Sequence, residues 1–191
     1  KNTNIDAPET LADAGQTLLV DQQDYFNFAV DDIDAVQQKP KIMNEAMRRA
    51  GYKLRDDADQ YIASLASGAG LTSGLGDDTT PKVPSANTAG TTVYEYLVDM
   101  GVLLDEQSAP TTGRWVILPA WMHGLLLKDN RFVNYGTDMN RQSLAEGNVG
   151  RAAGFEVMLS NNVPNTSGTK YKVLAGHPVA WTFASQLLKI E

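Results

Sequence analysis

Between residues 41 and 66 the apolar positions Met43, Met47, Ala50, Leu54, Ala58, Tyr61 and Leu65 recur every three or four residues, while Arg48, Arg49, Arg55, Asp56 and Gln60 fall between them. That spacing predicts a single amphipathic helix. At the standard rise it is about 39 Å long, whereas the mean globular helix has about 11 to 12 residues. A beam of this length in a chain of 191 residues forces the other elements to gather at its ends or along one side. Met43, Met47, Leu54, Tyr61 and Leu65 are expected to face the rest of the protein. Pro40 cannot supply an interior helical N–H, so a short helix opened by Asp31, Asp32 and Asp34 is expected to stop there and the long one to begin.

The flanks of the beam differ. Leu18, Val20, Tyr25, Phe26, Phe28 and Val30 are aromatic or β-branched for the most part and predict an extended ribbon over residues 18–30. Residues 67–90 are rich in Gly, Ser, Thr, Asp and Pro, with Leu71, Leu75 and Val83 as the large apolar residues, and read as a long irregular connection. Thr91 or Thr92 then suits the cap of a helix with Val93, Leu97, Met100 and Leu104 on one stripe. Residues 114–118 read as a buried strand, Pro119 suits the first turn of a helix reaching about Lys128, and residues 154–160 and 171–175 read as further strands. Residues 130–147 are loop-like. Residues 179–190 fit helix or strand, with helix preferred, and no internal repeat is visible.

Catalytic chemistry lacks its parts. The chain has no cysteine, which excludes disulfides, thiolate metal sites and cysteine nucleophiles. Its two histidines, His123 and His177, sit in no spaced ligand set and read as structural. Asp31, Asp32 and Asp34 lack the glycine and terminal glutamate of a calcium loop, and favourable charge at a helix start explains them better. Asp77 and Asp78 lie in a Gly-rich loop that offers neither fixed geometry nor burial, so a solvated turn is expected. Gly68, Gly70, Gly74 and Gly76 follow a helix instead of a strand and lead to no Gly-Lys-Ser/Thr, which argues against a phosphate-binding loop. No Gly-x-Ser-x-Gly elbow is present. With 23 acidic against 16 basic side chains and no basic cluster, the surface should repel nucleic acid and anionic membranes. The longest apolar stretch, residues 115–127, is interrupted by Pro119, His123 and Gly124 and is too short for a bilayer, so a soluble chain is expected.

Three phrases stand in a particular order. The first is Tyr25-Phe26-Asn27-Phe28-Ala29-Val30-Asp31-Asp32-Ile33-Asp34, followed by the long helix with Leu54-Arg55-Asp56-Asp57-Ala58-Asp59. The second is Arg114-Trp115-Val116-Ile117-Leu118-Pro119, then Leu125-Leu126-Leu127-Lys128-Asp129-Asn130-Arg131-Phe132. The third is Gly147-Asn148-Val149-Gly150-Arg151-Ala152-Ala153-Gly154-Phe155-Glu156-Val157, continuing into Ser160-Asn161-Asn162-Val163-Pro164 and Ala175-Gly176-His177-Pro178-Val179-Ala180. Together they span most of the chain and resemble the major capsid (coat) proteins of tailed bacteriophages.

The resemblance implies the α+β tailed-phage major capsid protein fold, shared with herpesvirus capsid floors and encapsulin shells, with a long spine helix in a peripheral lobe and a mixed α/β axial lobe. On that plan residues 1–86 are part of the extended loop and the peripheral lobe with its spine helix, and residues 87–191 are the axial lobe. It implies a structural subunit of a phage or prophage capsid shell that self-assembles to enclose packaged DNA, with no catalytic, cofactor or metal site. The implied partners are further copies in pentamers and hexamers, then scaffolding, portal or decoration proteins. DNA is enclosed without sequence-specific binding, no membrane is involved, and the implied place is the virion capsid, assembled in the bacterial host cytoplasm. Candidate assembly contacts are Tyr25, Phe26, Phe28, Arg131 and Tyr135. The alternatives are an encapsulin-like compartment shell and a non-enzymatic decoration or tail binding module. Against the family's plan the chain is expected to be a fragment lacking the N-terminal arm and the C-terminal strands, and to be monomeric or weakly oligomeric by itself.

Overall fold

The computed structural model describes residues 17–27, 41–68, 70, 72–133 and 149–186. Its first helix, α1 (Lys41–Ser64), continues as a 3-10 turn over Leu65–Gly68. The expected beam is therefore present and tightens in its last turn. Its flank is laced by pairs at helical spacing: Glu45 with Arg48 at 2.8 Å and Arg49 at 2.9 Å, and Gln60 donating to Asp56 at 2.8 Å. The hydrogen bond from Arg48, then that from Arg49, holds the Glu45 carboxyl down at about 2.

The apolar stripe of α1 does not meet the rest of the protein as expected. Met47, Tyr61 and Leu65 are 44%, 41% and 40% exposed, while Leu54 is half-buried; the side chain of Met43 lies outside the described residues. Among the described residues, no helix or strand other than the 3-10 turn packs extensively along α1. Periodicity tells which face is apolar and not what covers it. The ribbon also differs from its expectation, since residues 17–27 form neither helix nor strand ladder and every one is exposed. A strand is defined by its neighbour, and among the described residues no strand pairs with this segment. Residues 28–40, with the expected short helix and the break at Pro40, lie outside the described residues.

Of the connection expected over residues 67–90, residues 67 and 68 belong to the 3-10 turn and residues 72–90 are irregular apart from a bridge between Ser85 and Thr92. The stretch is nevertheless shaped. Gly76 has φ +89°, and a Cβ there would stand 2.9 Å from the Thr80 carbonyl oxygen, so the turn requires glycine. Asp77 accepts the backbone N–H groups of Thr79 and Thr80 at 2.7 and 2.6 Å, and Leu75 packs against the main core.

Helix α2 (Val93–Glu106) opens with the expected cap, Thr92, in a reciprocal capping box with Glu95. Strand β1 (Trp115–Leu118) leads through Pro119 into α3 (Ala120–Leu127), and a short α4 (Asn130–Val133) follows where a loop was expected. Two side chains explain α4: Asp129 Oδ1 accepts the Arg131 N–H at 2.9 Å, and Asn87, 43 residues upstream, accepts the Asn130 N–H at 2.9 Å. The remaining strands are β2 (Arg151–Ala152), β3 (Phe155–Leu159), β4 (Asn165–Thr166), β5 (Lys170–Tyr171) and β6 (Leu174–Gly176).

These strands make a four-stranded sheet in the order β2-β3-β1-β6, with β1 parallel to β3 and antiparallel to β6, and a small β4-β5 hairpin. The strand expected over residues 171–175 is divided, because the Lys172 N–H turns to the Pro164 carbonyl at 2.8 Å. The preferred helix over residues 179–190 is absent from the described part. His177 caps only a 3-10 turn (Pro178–Ala180), Trp181 is extended at φ −129° and ψ 133°, and residues 181–186 have no regular structure.

The core lies between the sheet and the two helices α2 and α3. Val93, Leu97 and Met100 from α2 meet Val116 and Leu118 from β1, Met122 and Leu126 from α3, and Phe155 from β3. A Cβ at Gly101 would sit in ordinary contact, 3.6 Å from Phe155 Cε2. Gly101→Ala is therefore expected to raise stability by about 0.5 to 1 kcal/mol through helix propensity, read as a higher denaturation midpoint at unchanged slope.

Candidate assembly surface

Exposed apolar side chains occur on most elements, Val98 and Val102 of α2 and Met158 and Leu159 of β3 among them, and three groups are considered as surfaces. The ribbon carries Leu18, Leu19, Val20, Tyr25 (86% exposed) and Phe26, helix α1 carries Met47, Tyr52 and Tyr61, and the C-terminal stretch carries Val179, Trp181 and Phe183. Isolated apolar residues are normal on a surface, but clusters along extended segments mark surfaces that meet partners. Phe28 and Tyr135, also expected as contacts, lie outside the described residues.

Arg131 is placed differently from the ribbon residues. Its guanidinium donates to Thr92 Oγ1 at 2.9 Å, Glu95 Oε1 at 3.1 Å and Asp129 Oδ2 at 3.2 Å, and lies 5.2 Å from the centre of the Tyr94 ring. It thereby joins the start of α2 to α4, with a side chain still 45% exposed. Glu95 has a pKa held below the usual carboxylate value, first by the Thr92 backbone N–H and then by the Thr92 hydroxyl, with Arg131 adding to both. A carboxyl whose folded pKa is depressed contributes stability above its unfolded value near 4.5, and the contribution is lost as pH falls through the folded value. Thr92→Ala is accordingly expected to cost about 1 kcal/mol at neutral pH. The difference from the parent should shrink below pH 4, as thermal unfolding at several pH values would record.

Among the described residues no three His, Cys, Asp or Glu side chains are grouped to hold a metal. His177 spends both ring nitrogens locally, Nδ1 accepting the Val179 N–H at 3.2 Å and Nε2 facing the Thr112 carbonyl at 3.1 Å. Burial lowers the pKa of His123, which sits half-buried on α3. Asp78 turns away from Asp77 to pair with Lys172 at 3.3 Å and accept from Thr166 Oγ1 at 3.2 Å. A broad groove of about 1840 Å³ runs between residues 68–84, α2 and the β5-β6 region, lined by Leu75, Met100, Leu104, Trp115, Trp121 and Trp181 among others. Small-molecule sites are typically about 300 to 1,000 Å³ with a few convergent polar groups, and this groove is larger and open. No helix among the described residues is long and apolar enough to cross a membrane.

The described residues thus combine a mixed sheet packed on α2 and α3, a long helix and exposed apolar segments. A family model described as phage capsid protein matches residues 15–187. The chain belongs to the phage capsid protein family. Among solved structures it is similar to one titled Mycobacterium phage Che8, at 24% identity and a TM-score of 0.61, over 89% of this chain and 60% of that one. A capsid structure of the cyanophage P-SCSP1u aligns at 17% identity and a TM-score of 0.52, over 74% of this chain and 48% of that one. The chain thus spans about three fifths and about half of the lengths of these two. No curated protein matches it.

Membership in this family, with the likeness in structure, identifies the fold as the expected α+β phage capsid fold. Within it, α1 is the long helix read from periodicity, and α2, α3 and the β2-β3-β1-β6 sheet are the compact α/β part. Sequence reasoning missed the exposed C-terminal stretch. Its signal was available in Val179, Trp181 and Phe183, three large apolar side chains within five residues.

Proposed function

We propose that this chain is a structural subunit of a phage or prophage capsid shell, acting by self-association and without catalysis or a cofactor. The observation that carries the proposal is the family match across residues 15–187. The apolar ribbon and C-terminal stretch support it, because they are surfaces that a single copy leaves in water. Copies meeting edge to edge make many modest contacts, and repetition turns them into a strong container. The net charge of −7 suits a wall around packaged DNA, since the acidic surface does not hold the genome against it. On this reading the protein resides in the virion capsid, assembles in the host cytoplasm, and works with scaffolding, portal or decoration proteins. Residues 1–86 carry the extended loop and the spine helix, residues 87–191 form the axial lobe, and Tyr25, Phe26, Phe28, Arg131 and Tyr135 are contact residues. Neither the encapsulin-like shell nor the decoration module is favoured by any observation.

The test is a charge placed on the ribbon. Tyr25→Glu and Phe26→Glu alter side chains at the surface, so each is expected to leave the unfolding midpoint within about 0.5 kcal/mol of the parent. Particle formation by the complete gene product should fall by at least tenfold in light scattering. Normal particle yield from both variants would remove the ribbon from the interface.

A further inference from the structure

One hydrogen bond joins α1 to the sheet lobe at a carboxylate that is also engaged within the helix. Asp56 Oδ1 accepts from Asn162 Nδ2 at 2.8 Å, although 106 residues separate them. The other oxygen, Oδ2, accepts from Gln60 Nε2 at 2.8 Å and stands 3.8 Å from Lys53 Nζ. Lys53 also bonds Asp57, and its raised pKa comes first from that bond and includes an attraction to Asp24 of the ribbon. Asn162 belongs firmly to the sheet lobe: its own N–H donates to Ser160 Oγ at 3.1 Å in the turn after β3, and the next residue, Val163, is buried. Long helix and sheet lobe therefore share one polar junction.

The surroundings of that junction are not those of a rigid weld. Tyr52, Arg55 and Asp59 on the helix face Leu159, Ser160 and Asn161 across an open cleft of about 280 Å³. Both apolar residues there, Tyr52 and Leu159, are more than half exposed. Packed apolar interfaces transmit force stiffly, whereas a single polar contact beside an open cleft fixes an angle and leaves room to change it. We propose that Asp56 and Asn162 form a latch at a pivot between α1 and the sheet lobe, holding one angle when closed and releasing another when broken. This rests on the shell reading for its use, since a closed shell with five-fold and six-fold positions requires one subunit to fit two surroundings.

The absence of native cysteine makes the pivot directly measurable. Spin labels at Asn44→Cys on α1 and Glu156→Cys on β3, both exposed sites, report the distance between the two parts by double electron–electron resonance. In the otherwise unaltered chain one narrow distribution is expected. Asn162→Ala, which removes the donor, and Asp56→Ala, which removes the acceptor, should broaden it or add a second peak, shifting the population by about tenfold. The exchanged pair Asp56→Asn with Asn162→Asp, which restores a donor facing an acceptor, should narrow it again. An unchanged distribution in both single variants, a broad one in the parent, or broadening that the exchange fails to reverse would overturn the latch. Loss of the fold in Asn162→Ala would overturn it too, by making the contact a structural strut. Because the labels are read on the isolated chain, failure of the latch leaves the shell reading standing, and absence of shells leaves the distance measurement standing.

Discussion

Phe155→Ala is expected to lower stability by about 3 to 5 kcal/mol, a midpoint shift on the order of 10 °C for a chain of this size. Phe155 is fully buried at the start of β3 and its ring lies beside Gly101 of α2. Removing the ring deletes the largest fully buried side chain of the core. The lost contacts belong to helix and sheet at once, and neither can move inward without breaking the pairing of β3 with β1, whose register runs from Trp115 opposite Glu156 to Leu118 opposite Leu159. Phe155→Leu keeps most of the apolar volume and should cost substantially less. A loss below about 1 kcal/mol for the alanine variant would mean that α2 does not pack on this sheet.

Arg114→Met is expected to cost about 3 kcal/mol for a different reason. The Arg114 side chain is only 6% exposed, and its guanidinium lies under the C-terminal end of α2. It donates to the carbonyls of Pro110 and Ala109 at 2.8 Å each, to Gly101 at 3.5 Å, and to Asp105 Oδ1 at 2.7 Å. Ala109 and Pro110 stand in the loop just beyond α2, where their carbonyls have no helical partner, and a cation near the C-terminal end of a helix also meets the negative end of its dipole, so a forked cation answers both needs. Methionine fills similar space with no donor and leaves those carbonyls unsatisfied. Arg114→Lys keeps the charge but not the fork and should fall between parent and methionine variant. Chemical denaturation of the three proteins checks the order, and equal midpoints for all three would show that water satisfies the carbonyls as well as Arg114 does.

Arg114 illustrates what the sequence conceals. Its place before a buried strand was readable, but its partners lie 4 to 13 residues upstream around a turn, and no local pattern announces them. The elements governed by local rules were legible: the periodic beam of α1, the Thr92 cap with Glu95 three residues later, and the apolar run of β1 before Pro119. Elements governed by distant partners were not. Helix α4 depends on Asn87, and the division between β5 and β6 depends on Pro164. Residues 178–186 look equally like helix or strand in composition, and the cap from His177 with Pro178 settles them as one short turn and an irregular tail. The same limit applies to surfaces. Periodicity revealed that α1 has an apolar face, and the structure leaves Met47, Tyr61 and Leu65 on it partly open to solvent.

Electron microscopy of the complete gene product, expressed with its neighbouring genes and purified at micromolar concentration, tests the shell role most directly. Closed particles of uniform size, with five-fold and six-fold clusters of this subunit in the wall, are the expected result. A protein that stays monomeric under those conditions, or that turns over a small substrate, would contradict it.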